Sequence, residues 1–352
     1  MLLNRSWAIA SGASAFMVLS LLFAPVQEGG TNRGGIWNGS KSAVVRPVDG
    51  GGDPKGAKEA EAPSSPPAKP AERSRPAAVY YSDRVAVLMY HHLQEKPERG
   101  DILSPAQFER QMELLAENGF QVIGAEEYAA FVLNKAKVPD NAVLLTFDDG
   151  YASFYELAYP ILKKFGYPAI NFVIVSGVDQ RNKPGIKKLT WDQMREMQRD
   201  GIAFMNHTYD LHAKKADASG KEVPLTGRQY LEDEKRRETA EEYRKRVLDD
   251  LLLAEKRLAE ELGNKLRMLA FPYGYYTEEL VSIAREAGIE IMFSVKHGLA
   301  KRSDKVAYRV NAGRSDMEPE ELIRTLKALG KGRTGSVFAE AAAESEWAPA
   351  AG

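Results

Sequence analysis

Eight short apolar runs recur through the middle of the chain, each suited to a strand buried on both faces. They are Val85–Met89, Phe120–Ile123, Ala142–Phe147, Ala169–Val175, Gly201–Met205, Arg267–Phe271, Ile289–Val295 and Val306–Val310. Segments with a helical period separate them. Ser104-Pro105-Ala106-Gln107 offers an N-cap, a proline at the first helical position and a capping glutamine, and Phe108, Met112 and Leu115 follow at spacings of four and three. Thr190-Trp191-Asp192-Gln193 repeats the capping box. The longest helix is predicted from Thr239, with Glu242 three residues on. It sets Tyr243, Val247, Leu251, Ala254, Leu258 and Leu262 on one face and stops at Gly263. Its opposite face is charged and reads as solvated surface. Strand alternating with helix over about 250 residues predicts an α/β fold, a distorted (β/α) barrel of seven or eight mostly parallel strands.

Both ends of the chain break this pattern. Arg5 precedes an uncharged run from Ser6 to Gln27 with an apolar centre at Phe16–Ala24, so residues 1–27 read as an export signal or a membrane anchor. The run is long enough to span a bilayer and no Ala-x-Ala site closes it, which favours a retained anchor. Residues 28–82 turn to Pro, Gly and Ala with no surviving apolar period, the composition of a disordered linker with a reach of roughly 40 Å. Residues 83–330 then form the folded domain, and 331–352 a flexible tail. These ends place the protein outside the membrane, anchored or secreted, towards wall or matrix. Composition narrows the class further. Lys+Arg 48 against Asp+Glu 49 gives a net charge of −1, which speaks against a nucleic-acid partner. Cys is 0, which removes disulfides, cysteine nucleophiles and thiolate metal sites together.

The remaining polar residues able to do chemistry gather where the predicted strands end. Val85–Met89 runs into Tyr90-His91-His92, Ala142–Phe147 into Asp148-Asp149-Gly150, Gly201–Met205 into Asn206-His207-Thr208-Tyr209-Asp210-Leu211-His212, and Arg267–Phe271 into Pro272-Tyr273-Gly274. Four of the five histidines are on that list. Barrel active sites form at the C-terminal strand ends, so the clustering points to one site. An Asp pair after a strand is also a common helix cap, and a lone His is more often a hydrogen-bonded structural group. Two imidazoles and a carboxylate together suit a catalytic divalent ion such as Zn²⁺, with Co²⁺ or Ni²⁺ as substitutes. Adjacent carboxylates can divide their roles, one binding the cation and one staying free as a base. The same donor set also describes non-haem iron oxygenases, against which the second Asp and the export signal count. Tyr151, Tyr273 and Trp191 offer aromatic faces for sugar stacking or for core packing.

Thr146-Phe147-Asp148-Asp149-Gly150 and His207-Thr208-Tyr209-Asp210-Leu211-His212 resemble the first two motifs of the NodB-like polysaccharide deacetylases, carbohydrate esterase family 4. The resemblance covers about Val85 to Leu329. It implies Asp148 as general base and Asp149, His207 and His212 as metal ligands, with Pro272, Tyr273 and Tyr151 at the substrate and the Tyr273 amide at the oxyanion. Two departures narrow it. The arginine usual two residues before the proline is replaced by Ala270, and Arg309 at another strand exit is the candidate to stand in for it. The late Leu-x-His motif that supplies the acid lacks a counterpart, with His297 read as a surface-loop residue. The early Leu88-Met89-Tyr90-His91 is similar instead to the biofilm-type poly-β-1,6-N-acetylglucosamine deacetylases, which implies His91 as the acid, with His92 read as structural. The expected activity is hydrolytic N-deacetylation of an N-acetylglucosamine polysaccharide, poly-β-1,6-N-acetylglucosamine ahead of peptidoglycan or chitin-like chains. The alternative of another class is a non-catalytic glycan-binding module on a stalk. The membrane is reached through the N-terminal segment, and no protein partner is expected.

Overall fold

The computed structural model describes residues 76–180 and 184–332. The expected anchor at 1–27, the linker as far as residue 75 and the tail from 333 onward lie outside the described residues. None of the described helices is long and apolar enough to cross a membrane.

Eight parallel strands make the central sheet: β1 (Val85–Tyr90), β2 (Gln121–Ile123), β3 (Ala142–Asp148), β4 (Ala169–Val173), β5 (Ile202–Asn206), β6 (Met268–Ala270), β7 (Ile291–His297) and β8 (Ala307–Asn311). Each expected apolar run has become a strand. Seven of them close a barrel in the order β1-β8-β7-β6-β5-β4-β3, with β3 returning to β1 from Val85↔Ala142 to Tyr90↔Phe147. The eighth, β2, pairs only with the first half of β3, and β4 takes the second half. Closure is thinnest between β5 and β6, where one register pair, Leu269↔Asn206, joins the strands.

Strands buried on both faces read as continuous apolar runs, and the alternation along them separates one cluster from two others, the third joining Leu269 of β6 and Met292 of β7 to Val247 and Leu251. Val85 and Val87 of β1, Leu144 of β3, Ile170 and Phe172 of β4 and Phe293 of β7 share one cluster, into which α2 (Ala125–Leu133) adds Tyr128 and Phe131. The intervening residues Leu88, Tyr90, Leu145 and Phe147 pack outward against Phe108, Met112 and Leu115 of α1 (Pro105–Glu117). There the Phe147 ring lies 5.1 Å from Tyr90 and 4.6 Å from Phe154, centroid to centroid. The capping boxes at Ser104, Thr190 and Thr239 all form, opening α1, α5 (Trp191–Gln198) and α6 (Ala240–Leu262), and Gly263 ends α6 at φ 69°. Six further helices and helical turns among the described residues fill the connections, α3 (Tyr159–Phe165) and α8 (Pro319–Gly330) among them. Two of them, α4 (Val175–Asp179) and α7 (Glu278–Glu286), flank the site described below.

The structure departs from the sequence reading in four places. Pro76–Ser82, read as the end of the linker, is packed: Tyr81 is buried, its hydroxyl donates to the Ala142 carbonyl, and Asn141 accepts from the Tyr80 amide. Two tyrosines against Phe120 give this stretch the apolar area that the linker before it lacks. Trp191 belongs to the core rather than to a sugar-binding face, with its indole N–H satisfied by Asp179 at 3.0 Å. His297 closes β7 and is half-buried rather than lying on a surface loop. The polar face of α6 is not wholly solvated, because Glu255 is buried and Asp250 is half-buried. The stretch from Ala213 to Glu238 contains two small antiparallel pairings, Lys214–Ala216 with Glu222–Pro224 and Tyr230–Leu231 with Arg236–Arg237.

Phe147 joins the strand that carries the aspartates to α1. Phe147→Ala is expected to cost about 3–5 kcal/mol of unfolding free energy in a denaturant titration.

Candidate active site

The C-terminal end of β3 delivers two carboxylates into different surroundings. Asp148 continues the inward row of Ala142, Leu144 and Thr146, and its side chain is 3% exposed. Arg309 of β8, itself fully buried, reaches across β1 and grips both its oxygens, Nη1 to Oδ1 and Nη2 to Oδ2 at 2.8 Å each. The guanidinium is held in turn by Nε donating to the Ser294 carbonyl at 2.8 Å. Burial alone would raise the Asp148 pKa. The Arg309 charge, with smaller help from His207 and His91, wins and holds it below the usual carboxylate range. Arg309 therefore occupies the place left open by Ala270, arriving from a different strand.

Asp149 turns the other way, in a left-handed conformation at φ 76° followed by Gly150 at φ 67°. Its Oδ1 lies 3.5 Å from His207 Nε2 and 3.2 Å from His212 Nε2. The three donor atoms fall within 4.8 Å of one another. His207 Nδ1 is 2.7 Å from the Ala270 carbonyl, which can only accept, so Nδ1 carries the proton and Nε2 presents a lone pair. Asp149 Oδ1 is buried with no hydrogen-bond partner. A lone pair facing an unpartnered carboxylate oxygen lacks anything positive between them, and a divalent cation would supply it. The donor set of two imidazoles and one carboxylate fits such an ion and leaves positions open. Burial, aided by His207, pushes His212 down to about 4, so it is neutral at physiological pH as a ligand must be.

The remaining residues named from sequence surround these. His91, at the exit of β1, places Nε2 3.9 Å from Asp148 Oδ2 and is 36% exposed, which leaves it open to a ligand. His92 turns aside, its Nδ1 2.7 Å from the Ser153 hydroxyl. Pro272 is buried and starts the turn Pro272–Gly274, in which Tyr273 is left-handed at φ 57° and 41% exposed. The Tyr273 ring lies against His212, 4.7 Å between centroids and tilted by 40°. Tyr151 is half-buried beside Asp149. A cavity of about 630 Å³ opens from Tyr151 and His212 along Ser176, Lys188 and Asp210, within the range of small-ligand sites.

Sequence reasoning passed over two contributors. Lys188 lies alongside Tyr151, donates to the Asp149 carbonyl at 2.9 Å and sits 3.8 Å over the Tyr151 ring; burial pushes it down to about 8. Asp250 of α6 accepts from the backbone amides of Tyr209 and Asp210, and burial pushes it up to about 6. Lys188 stands in an undistinguished Lys-Lys pair, and Asp250 in a run of helix charges. Only the Asp-Asp pair in that run, beside a triple leucine, offered any signal.

A barrel of this topology with an Asp-His-His cluster and a paired second aspartate at its mouth defines a class, and comparisons with known proteins agree on it. The profile of the polysaccharide deacetylase family matches residues 135–292. The poly-β-1,6-N-acetyl-D-glucosamine N-deacetylase of Escherichia coli (strain K12) is 30% identical over 228 residues, 61% of this chain and 32% of that protein. Its namesake from Staphylococcus aureus (strain MSSA476) is 26% identical over 237 residues, 67% of this chain and 76% of that protein. The chain thus spans about a third of the length of the first relative and three quarters of the second. Among solved structures, the de-N-acetylase from Aggregatibacter actinomycetemcomitans superposes with a TM-score of 0.62 at 28% identity, covering 68% of this chain and 99% of that one. Over its folded part the chain is thus similar to the polysaccharide deacetylases.

Arg309→Met strands a buried carboxylate, and its expected cost near pH 7 is about 3–5 kcal/mol. The sign with pH follows from the loss of the partner. Without the guanidinium, burial lifts the folded pKa of Asp148 above its unfolded value near 4. The penalty is then full above the raised pKa and shrinks as pH falls through it. Denaturant titrations of both proteins at pH 7 and pH 4 check this: the gap should narrow at the lower pH.

Proposed function

We propose that the protein is a metal-dependent N-deacetylase of an N-acetylglucosamine polysaccharide, poly-β-1,6-N-acetyl-D-glucosamine before peptidoglycan or chitin-like chains. One observation carries the reading: the mouth of the barrel keeps one aspartate paired with a guanidinium, beside a second that shares a cation-sized space with two imidazoles. Asp149, His207 and His212 would hold the ion, with Zn²⁺ the best match to the donor set. When bound, such an ion brings the pKa of a water down from about 16 towards 7 and polarises the acetamide carbonyl.

The chain's own residues do the rest. Asp148 accepts the proton of the attacking water. A carboxylate held low on the pH scale is a weak base, so it suits a water already acidified, and Arg309 keeps it ionised and aimed. The backbone N–H of Tyr273, on its left-handed turn, donates to the oxygen that gains charge. His91, at the same mouth, gives a proton to the departing nitrogen as the C–N bond breaks. Acetate and a free amine result, with one water consumed. Tyr273 and Tyr151 offer ring faces to the sugars, and the cavity beside them gives a neighbouring unit room.

The polymer assignment is supported by the names of the Escherichia coli and Staphylococcus aureus relatives and by the early His91, which takes the acid's place when no late histidine does. The uncharged run at Ser6–Gln27 and the Pro/Gly/Ala-rich stretch after it support a site of action outside the membrane, where such polymers lie. The zinc-loaded protein is expected to release acetate from poly-β-1,6-N-acetylglucosamine oligomers faster than from chitin oligomers or peptidoglycan. Asp148→Asn should lower that rate at least about 100-fold. Release undiminished in the variant would refute the base, and equal rates on all three polymers would refute the preference.

A further inference from the structure

The loop His207–His212, which follows Asn206 at the end of β5, carries two of the three cation donors, yet it is neither helix nor strand. Four successive amides in it are satisfied by side chains. Thr208 N–H donates to Asn206 Oδ1 at 2.7 Å, Tyr209 N–H to Asp250 Oδ1 at 2.8 Å, Asp210 N–H to Asp250 Oδ2 at 2.9 Å and Leu211 N–H to Thr208 Oγ1 at 3.1 Å. The opposite edge of the loop is held by α4, where the Val175 and Ser176 amides donate to the Thr208 and Tyr209 carbonyls. Thr208 is left-handed at φ 72°, a conformation a β-branched residue rarely takes unaided. Asn206 is itself fixed from α6, its Nδ2 donating to Glu255 Oε1 at 2.9 Å.

We propose that Asp250 is a positioning residue for the cation site, one carboxylate on α6 that sets the separation of His207 and His212 by bracketing the two amides between them. This rests on the reading that Asp149, His207 and His212 hold a divalent ion. Both oxygens of Asp250 are used and both point at the loop, so the carboxylate works as a two-pronged clip. An ionised carboxyl in this half-buried place costs desolvation, and the two amide bonds offset it. An Asn at 250 would keep the size and one acceptor but set its NH₂ against an amide N–H. The loop would then open at Tyr209 or at Asp210, and the imidazoles would lose their spacing.

The test is zinc affinity of the metal-stripped full-length protein, read by competition with a chromophoric chelator. Asp250→Asn is expected to weaken zinc binding about 10- to 100-fold. The thermal midpoint of the stripped protein should move by less than about 4 °C. Asp249→Asn, one residue away on the solvent side, should bind zinc as the parent does. Acetate release by Asp250→Asn should return when zinc is raised, with KM for the polymer unchanged. Affinity within twofold of the parent overturns the proposal, and so does an affinity loss that appears only with loss of the cooperative fold. Should the variant fail to fold, hydrogen exchange of the stripped parent decides: slow exchange at Tyr209 and Asp210 is expected, and unprotected rates there overturn the clip. A parent that binds no zinc would refute the metal reading itself, a distinguishable result.

Discussion

The site depends on one buried ion pair. Asp148 and Arg309 are both withdrawn from water, and neither would be tolerable there alone, because an unpaired charge in that setting costs several kcal/mol. Joined by two parallel N–H···O bonds, they fix each other's direction as well as charge. The pair also gives the two neighbouring carboxylates different partners. With Asp148 committed to the guanidinium, Asp149 faces His207 and His212. The alanine at 270 and the arginine at 309 thus belong to one arrangement. The charge partner comes from β8, and β6 contributes a main-chain carbonyl that sets the tautomer of His207.

Of the seven left-handed non-glycine residues among those described, three line the site. Asp149, Thr208 and Tyr273 are all left-handed without being glycine, each at the end of a different strand. Such conformations cost roughly 1–2 kcal/mol apiece and persist only where neighbours over-determine them. For Asp149 the neighbour is Lys188, for Thr208 it is Asn206, and for Tyr273 the next residue is decisive. Gly274 lies so close to β7 that a Cβ there would fall 2.9 Å from the Val295 amide and closer still to its side chain. The Pro-Tyr-Gly turn therefore needs its glycine for space, and its tyrosine is aimed by that fit.

The fold was largely legible in the sequence because the physics that builds it is local. Strands buried on both faces print as unbroken apolar runs, and all eight could be read; capping boxes at Ser104, Thr190 and Thr239 mark helix starts within a few residues of themselves. The site's main residues were legible for a related reason, since polar groups placed directly after such runs have few other positions to take. Harder to see were contacts made across long separations by ordinary residue types. Asp250 lies about 40 residues from the amides it holds and shares its helix face with charges that do meet solvent. Lys188 resembles Lys187 beside it until the chain folds. Tyr80 and Tyr81 look like the end of a linker until Phe120 is placed under them.

The thin joint between β5 and β6 gives the cluster a second role. Only one main-chain pairing crosses it, and His207 sits at the exit of β5 with its ring bonded to the last residue of β6. An imidazole thereby serves as a rivet where the barrel wall is least stitched. A cation shared with Asp149, just past the end of β3, would tie that rivet to the rim two strands away. Loading the site would stiffen the barrel's hoop as well as equip it for hydrolysis.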